Sequence, residues 1–409
     1  MIDVGSAERA GGRPKVCPSG ASDRRGLPSP PMRRLLPLLI TTSLLAGACG
    51  SDDGGTATTE PPATSEASTT TDAPEPEVTP ADLAGPGPYA VGVTTRTLPE
   101  GGLVEIWYPA DESTAGGTDT YALRTFLPPP IEALIPAEID DTITIDATRD
   151  AIAAADGPFP IVLLSHGAAG YRLGSSLVAQ HLASWGIVTA ATDHPTRDLT
   201  NVLAGTTEGQ PPAVDQLRSM RRYLTTLDDD PQLGGALDTT RVALGGHSAG
   251  GGTVAEVALD DGILGYVSYA SGLRDVVPAI PSLFIAGEND GLIEVDRTVE
   301  AFDAAPAPSW LWVFAGTGHH GATDICVIGG GEATLVDLAI QAGVGDFIDE
   351  GLRALATDGC EEPNRPVTEV FPGVYQAATG FYRWVFGIDA EPIGLDESAI
   401  TDGVTITSK

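Results

Sequence analysis

Between residues 103 and 314, seven short apolar runs alternate with helix-compatible stretches, and no other feature constrains the fold as tightly. The runs are residues 103–108, 159–165, 187–191, 242–244, 266–270, 283–286 and 310–314, with helical patterns over 173–184, 253–259 and 295–302. Strands that are apolar almost throughout, separated by helices, are buried on both faces. The expected fold class is therefore α/β: a mostly parallel central sheet flanked by helices on both faces. In sheets of this kind chemistry collects beyond the carboxyl ends of the strands. A chain of 409 residues is long enough for one such domain with appendages.

The polar residues at those strand ends are specific. Residues 241–245 run into Gly246-His247-Ser248-Ala249-Gly250, and a helix-compatible stretch follows. A Gly-x-Ser-x-Gly turn between strand and helix is the setting of an activated serine. Small neighbours let strand and helix approach, and the first helical N–H groups point at the reacting centre. Five of the six histidines, His166, His194, His247, His319 and His320, fall at or just beyond a strand end. His181 lies inside a helical pattern and is read as a core or surface residue. Asp290 follows the strand at 283–286 and is the candidate acid, with Glu288 as its nearest competitor. A carboxylate there can accept from an imidazole, fix its tautomer and stabilise the imidazolium. The candidate base is His319 or His320, after the strand ending at Phe314. The chain order Ser248, Asp290, His319 is that of the strand–turn–helix hydrolases. The N–H of Ala249 and a second one from the glycine-rich loop Ser165-His166-Gly167-Ala168-Ala169-Gly170-Tyr171 are the expected oxyanion donors.

Several segments carry a family resemblance. Residues 158–167, ending Ser165-His166-Gly167, resemble the oxyanion segment of dienelactone-hydrolase-like and platelet-activating-factor-acetylhydrolase-like α/β-hydrolases. Asp193-His194-Pro195 and the whole run 237–251 resemble the same group, as does Gly318-His319 followed by Thr323-Asp324-Ile325-Cys326. The resemblance spans roughly residues 88–387. It implies an α/β-hydrolase fold, oxyanion donors at Ala168 and Ala249, His319 rather than His320 as base, and no cofactor or metal. Dienelactone hydrolases use a cysteine nucleophile. The serine here favours a carboxylic ester hydrolase, esterase- or lipase-like, acting on a small-molecule or lipid ester. Secreted cutinases are similar, but their oxyanion loop usually lacks Ser-His-Gly. Alternatives sharing the fold are a serine peptidase, a lactone hydrolase and a non-catalytic binding lipoprotein; the intact Ser248, Asp290 and His319 set argues against the last. Asp228-Asp229-Asp230 reads as a solvated helix end rather than a calcium site.

The N-terminus carries an address. Met32-Arg33-Arg34 precedes an uncharged apolar stretch over 35–48, too short to span a bilayer. The sequence Leu45-Ala46-Gly47-Ala48-Cys49 resembles a bacterial lipoprotein signal, which implies lipidation of Cys49 and residence on the outer face of the cell membrane; an ordinary secretory signal is the alternative. Residues 1–48 are thus expected to be an extension plus signal, with Met32 an alternative start. Residues 49–85, rich in Thr, Ser, Pro and acidic residues, read as a disordered tether, and 86–409 as the catalytic domain. Without residues 1–48 the chain has 15 basic and 53 acidic residues, a formal charge of about −38. Such a surface repels nucleic acid and anionic headgroups. Beyond the signal, Cys326 and Cys360 remain as an even pair in an exported domain, and a disulfide is expected. The long segments 111–155 and 199–212 are candidates for the walls of an acyl or alcohol pocket. Neither shows a strongly amphipathic lid helix, which speaks against interfacial activation.

Overall fold

The computed structural model describes residues 77–331, 334–399 and 403–409. The signal-like segment, Cys49 and most of the expected tether lie outside the described residues. Twelve strands occur among those described: β1 (Ala90–Thr97), β2 (Leu103–Ala110), β3 (Asp119–Ala122), β4 (Thr142–Ile145), β5 (Thr148–Arg149), β6 (Phe159–Ser165), β7 (Val188–Thr192), β8 (Leu237–His247), β9 (Ile263–Tyr269), β10 (Ser282–Gly287), β11 (Ser309–Phe314) and β12 (Val404–Ser408). Ten of them form one sheet in the order β12-β11-β10-β9-β8-β6-β7-β2-β1-β5, and β3 pairs with β4 separately. From β7 through β11 all neighbours are parallel. The β1–β2, β2–β7 and β11–β12 pairs are antiparallel.

The period of two along each strand sorts side chains into two cores. Val162 and Leu164 of β6, Ala243 of β8, Leu283 and Ile285 of β10, and Trp310 and Trp312 of β11 face one layer. Its helices are α3 (Ser176–Ser184) and α10 (Val367–Val385). Ile161 and Leu163 of β6, Val242 and Leu244 of β8, and Phe284 of β10 face the other layer. That layer contains α5 (Ala213–Leu224), α6 (Ala249–Val257) and α7 (Val295–Ala304). The expected α/β sandwich of helix, sheet and helix is therefore the observed architecture.

Register brings the functional loops together. Ser165 of β6 is level with Gly246 of β8, His247 with Tyr269 of β9, and Gly287 of β10 with Phe314 of β11. The strands that precede the oxyanion loop, Ser248, Asp290 and His319 consequently end along one rim.

Several elements differ from the sequence reading. The folded body begins before residue 86: α1 (Pro80–Leu83) opens with a capping box between Thr79 and Asp82, and Leu83 is fully buried. The Thr-Pro-Ala-Asp composition looks like tether, but the cap satisfies the free N–H groups and Leu83 supplies an apolar anchor. The segment 199–212 is not loop throughout, since α4 (Leu199–Ala204) is capped by Asp198 and closed by Gly205 with φ of 68°. Two helices, α8 (Leu335–Gln341) and α9 (Glu350–Thr357), follow β11, with Gly343 at φ of 75° between them. Within the insertion 111–155, a short helix α2 (Pro129–Glu132) lies between β3 and β4. The helix α10 carries Pro372 and Gly373, which signal a break in sequence. Burial of Val370, Val374, Ala377 and Phe381 on one stripe overrides that signal.

Leu83→Ala should lower stability by about 2–4 kcal/mol, the usual cost of truncating a buried leucine. Thermal or urea unfolding of the protein checks this; an unchanged midpoint would return residues 77–85 to the tether.

Candidate active site

The turn after β8 places Ser248 in a conformation that few non-glycine residues adopt, with φ of 54° and ψ of −121°. Its neighbours make this conformation possible. A Cβ at Gly246 would collide with the Gly250 carbonyl, and one at Gly250 with the Ser165 carbonyl. The Ser248 N–H is held by the Tyr269 carbonyl at 2.8 Å. Strain of this kind persists only where surrounding structure over-determines it. It leaves Ser248 at the N-terminus of α6, facing a cavity of about 670 Å³ also lined by His166, Ala168, His247 and His319.

Across that cavity, His319 Nδ1 lies 2.8 Å from Asp290 Oδ2, and both side chains are only 1% exposed. The other Asp290 oxygen accepts from the N–H groups of Leu292 and Ile293 at 2.9 and 2.7 Å. The carboxylate is thereby fixed from both ends. His319 Nε2 is buried and makes no hydrogen bond. The tautomer with Nδ1–H donating to Asp290 leaves Nε2 as an open proton acceptor in the cavity that Ser248 lines.

His320, the other candidate base, has both nitrogens engaged: Nε2 with the Leu355 carbonyl at 2.6 Å and Nδ1 with Thr323 Oγ1 at 3.1 Å. Burial pushes its pKa down to about 4, so it is neutral and occupied. Glu288, the competing acid, is exposed and accepts from the Gly316 N–H at 3.1 Å. His247 donates to the His319 carbonyl at 2.9 Å, and burial holds its pKa well below the usual histidine value. His181 is a core residue, bonded to the Leu83 carbonyl and stacked on Tyr375. Asp230 of the acidic triplet is bonded through both oxygens to Arg96.

Neither the Ala168 nor the Ala249 N–H donates to a backbone carbonyl among the described residues. Ala169, beside Ala168, has φ of 49° and gives its own N–H to the Arg197 carbonyl at 2.8 Å. Arg197 itself, which sequence reasoning missed, holds the loop from beneath. Its guanidinium donates to the His166 carbonyl and Ser165 Oγ, each at 2.8 Å, and to Thr253 Oγ1 of α6 at 2.8 Å. His194 Nε2 meets Ser165 Oγ at 2.8 Å, and the His194 N–H donates to His166 Nε2 at 3.0 Å. His166 and His194 are thus part of the loop's scaffold. The Asp-His-Pro segment was visible in sequence, but its bonding was not.

Asp358 was also missed. Its Oδ1 accepts from the His319 N–H at 2.6 Å, its Oδ2 from the Gly291 N–H at 3.0 Å, and its carbonyl from the His320 N–H at 3.2 Å. One side chain therefore ties the loop of the acid to the loop of the base. Two residues later Cys360 is joined to Cys326, with Cα atoms 5.0 Å apart and a sequence separation of 34. The expected disulfide is present and fastens the Asp358 segment to the chain that follows His319. The only signal in sequence was the second cysteine of the pair.

Residues 84–223 match the family model described as platelet-activating factor acetylhydrolase, isoform II. That span contains the oxyanion loop and Asp193-His194-Pro195, and it stops before Ser248. Comparison with curated proteins gives no match. Among solved structures, a ferulic acid esterase from Streptomyces cinnamoneus aligns with 80% of this chain and 99% of its own, at 19% identity and a TM-score of 0.54; this likeness concerns the fold. The chain is an α/β-hydrolase and a carboxylic ester hydrolase. The family model covers residues 84–223, about a third of the chain, and over that span the chain is similar to the platelet-activating factor acetylhydrolases.

Asp358→Ala should reduce kcat by about 10–100-fold, because loosening a catalytic group by a fraction of an ångström carries such a penalty. KM and the Cys326–Cys360 bond should change little, and Asp358→Asn should recover part of the loss. An equal loss of activity and of folded protein would make the residue merely structural.

Proposed function

We propose that the protein hydrolyses carboxylic esters with Ser248 as nucleophile, His319 as general base and acid, Asp290 as the orienting carboxylate, and the Ala168 and Ala249 N–H groups as the oxyanion hole. The observation that carries this reading is the buried Asp290–His319 pair, whose open Nε2 lines the same cavity as the strained Ser248. In the first step His319 Nε2 takes the Ser248 proton as Oγ bonds to the ester carbonyl carbon. The oxyanion forms against the Ala168 and Ala249 amides, whose N–H groups have no other backbone acceptor to give up. As the carbonyl re-forms, the bond to the alcohol oxygen breaks and His319 returns its proton to that oxygen. Water then attacks the acyl-serine with His319 again as base, releasing the acid and the free serine. Asp290 stays ionised and stabilises the imidazolium in both steps.

Ser248→Ala should lower ester turnover by about four orders of magnitude with unfolding unchanged. His319→Ala should be similarly inactive, while His320→Ala should keep appreciable turnover, measured on p-nitrophenyl esters beside peptide anilides. Appreciable turnover by the Ser248 variant, or the reverse order of the two histidine variants, would overturn these assignments; cleavage of the anilides alone would make the enzyme a peptidase.

We also propose that the protein is exported and held on the outer face of the cell membrane by a lipid on Cys49. The support lies in sequence: two arginines, a short apolar stretch, small residues before the cysteine, and a polar acidic segment after it. A single acyl chain gives only marginal membrane binding, whereas a diacylglycerol supplies two chains. The acidic segment stands the acidic domain away from anionic headgroups, whose field decays over about 8–10 Å at physiological ionic strength. A Cys49→Ser variant should leave the membrane fraction or remain unprocessed. A wild-type protein that partitions into the aqueous phase of a detergent separation, with a mature N-terminus other than Cys49, would instead be simply secreted.

A further inference from the structure

A second cavity adjoins the one that holds Ser248. It is walled by three segments: residues 123–141 of the insertion between β3 and β4, the helix α4, and the α8–α9 hairpin. Leu199, Leu335, Leu352 and Ala356 line both cavities, so the two spaces adjoin across a wall of aliphatic side chains. The lining of the outer chamber is almost wholly leucine, isoleucine, valine and alanine. Its one aromatic residue is Phe347, and its one polar side chain is Asp141.

Asp141 is already engaged by Arg124. Its Oδ2 accepts from the Arg124 N–H at 2.6 Å and its Oδ1 from Arg124 Nε at 2.8 Å. A hydroxyl, methoxyl, amide or charged headgroup placed in this chamber would therefore lose its water without gaining a partner. A hydrocarbon chain loses nothing on entry and gains from every methylene buried. Phe347 is 56% exposed although it lines the chamber, so the outer end is open to solvent there.

We propose that this chamber binds the unbranched aliphatic chain of the ester substrate, so that the enzyme selects esters that carry a medium-length aliphatic chain over their short-chain counterparts. The proposal rests on the reading of Ser248 as nucleophile, since it is the wall shared with the Ser248 cavity that makes the chamber part of the substrate path. The chain belongs to the acid or the alcohol half of the ester, and the experiment separates the two.

The test uses the exported domain with two substrate series, both kept below their micelle concentrations so that surface adsorption does not mimic chain binding. One series is p-nitrophenyl acetate, butyrate, octanoate and decanoate. The other is the acetate esters of butanol, octanol and decanol. In one of the two series kcat/KM should rise with chain length, by about two- to fourfold per methylene while the chain fits. Ala339→Trp, which fills the chamber, should lower the ratio of longest to shortest substrate in that series by at least tenfold. Phe347→Ser, at the exposed end where the core is not disturbed, should lower the same ratio by several-fold and decides the matter if the tryptophan variant does not fold. A rise only in the alkyl acetates would put the alcohol's chain in the chamber. Flat or falling profiles in both series, or an unchanged ratio in the folded variants, would overturn the chamber. Failure of the underlying reading looks different: Ser248→Ala would then hydrolyse p-nitrophenyl acetate as the wild type does.

Discussion

The turn from β8 into α6 passes so close to the end of β6 that no side chain fits at Gly250, where a Cβ would meet the Ser165 carbonyl. That approach fixes three things together. It holds Ser248 in its strained conformation, sets the start of α6, and places the loop after Ser165 beside the serine. The rest of the rim follows from strand register, because parallel neighbours carry the alignment of Ser165 with Gly246 across to Gly287 and Phe314. A backbone that cannot move at Gly250 is also the condition for an oxyanion site built from main-chain N–H groups. Such donors are effective when preorganised rather than gathered during the reaction.

The dyad of Asp290 and His319 is held by a different means. Their loops come from adjacent strands, and no helix follows His319 directly to lock it. Asp358 supplies the lock by accepting from both loops, and the Cys326–Cys360 bond keeps the Asp358 segment in place. His247 adds a third support through the His319 carbonyl. Beneath the oxyanion loop, Arg197, His194 and Ser165 form a polar cluster whose histidines are neutral through burial. Asp324 serves the same loop region from the far side. It accepts from the Ser176 N–H at 2.6 Å at the start of α3, and burial raises its pKa to about 7. The site is thus rigid at the chemistry, while the walls of the outer chamber are short helices and turns inserted between the core elements.

Some of this was legible in the chain. The alternation of apolar strands and helices determined the α/β class, because each strand buried on both faces must be apolar throughout. The strand–Gly-x-Ser-x-Gly–helix pattern located Ser248, since few residue types tolerate that turn. Strand-end position singled out Asp290, and the oxyanion loop was visible as a run of small residues after a buried strand. These are local signals, each carried by ten residues or fewer. What escaped was non-local or contradicted local propensity. The helix α10 forms despite Pro372 because its buried stripe outweighs the lost hydrogen bond, and residues 79–83 look like tether until Leu83 is seen in the core.

Sequence alone therefore determined the fold class, the position of the serine turn and the pairing of the two cysteines, because each depends on residues adjacent in the chain or on simple elimination. Only the tertiary structure shows how the surroundings of His319 and His320 differ. The two are neighbours of identical chemistry, and what separates them is that the Leu355 carbonyl and Thr323 consume both nitrogens of one while Asp290 orients the other. It also decided the roles of Asp358 and Arg197, whose partners lie 39 and 32 residues away for His319 and Ser165. The chamber beyond Ser248 belongs to the same category. Three segments with no common pattern build it, and its aliphatic character exists only where their faces meet.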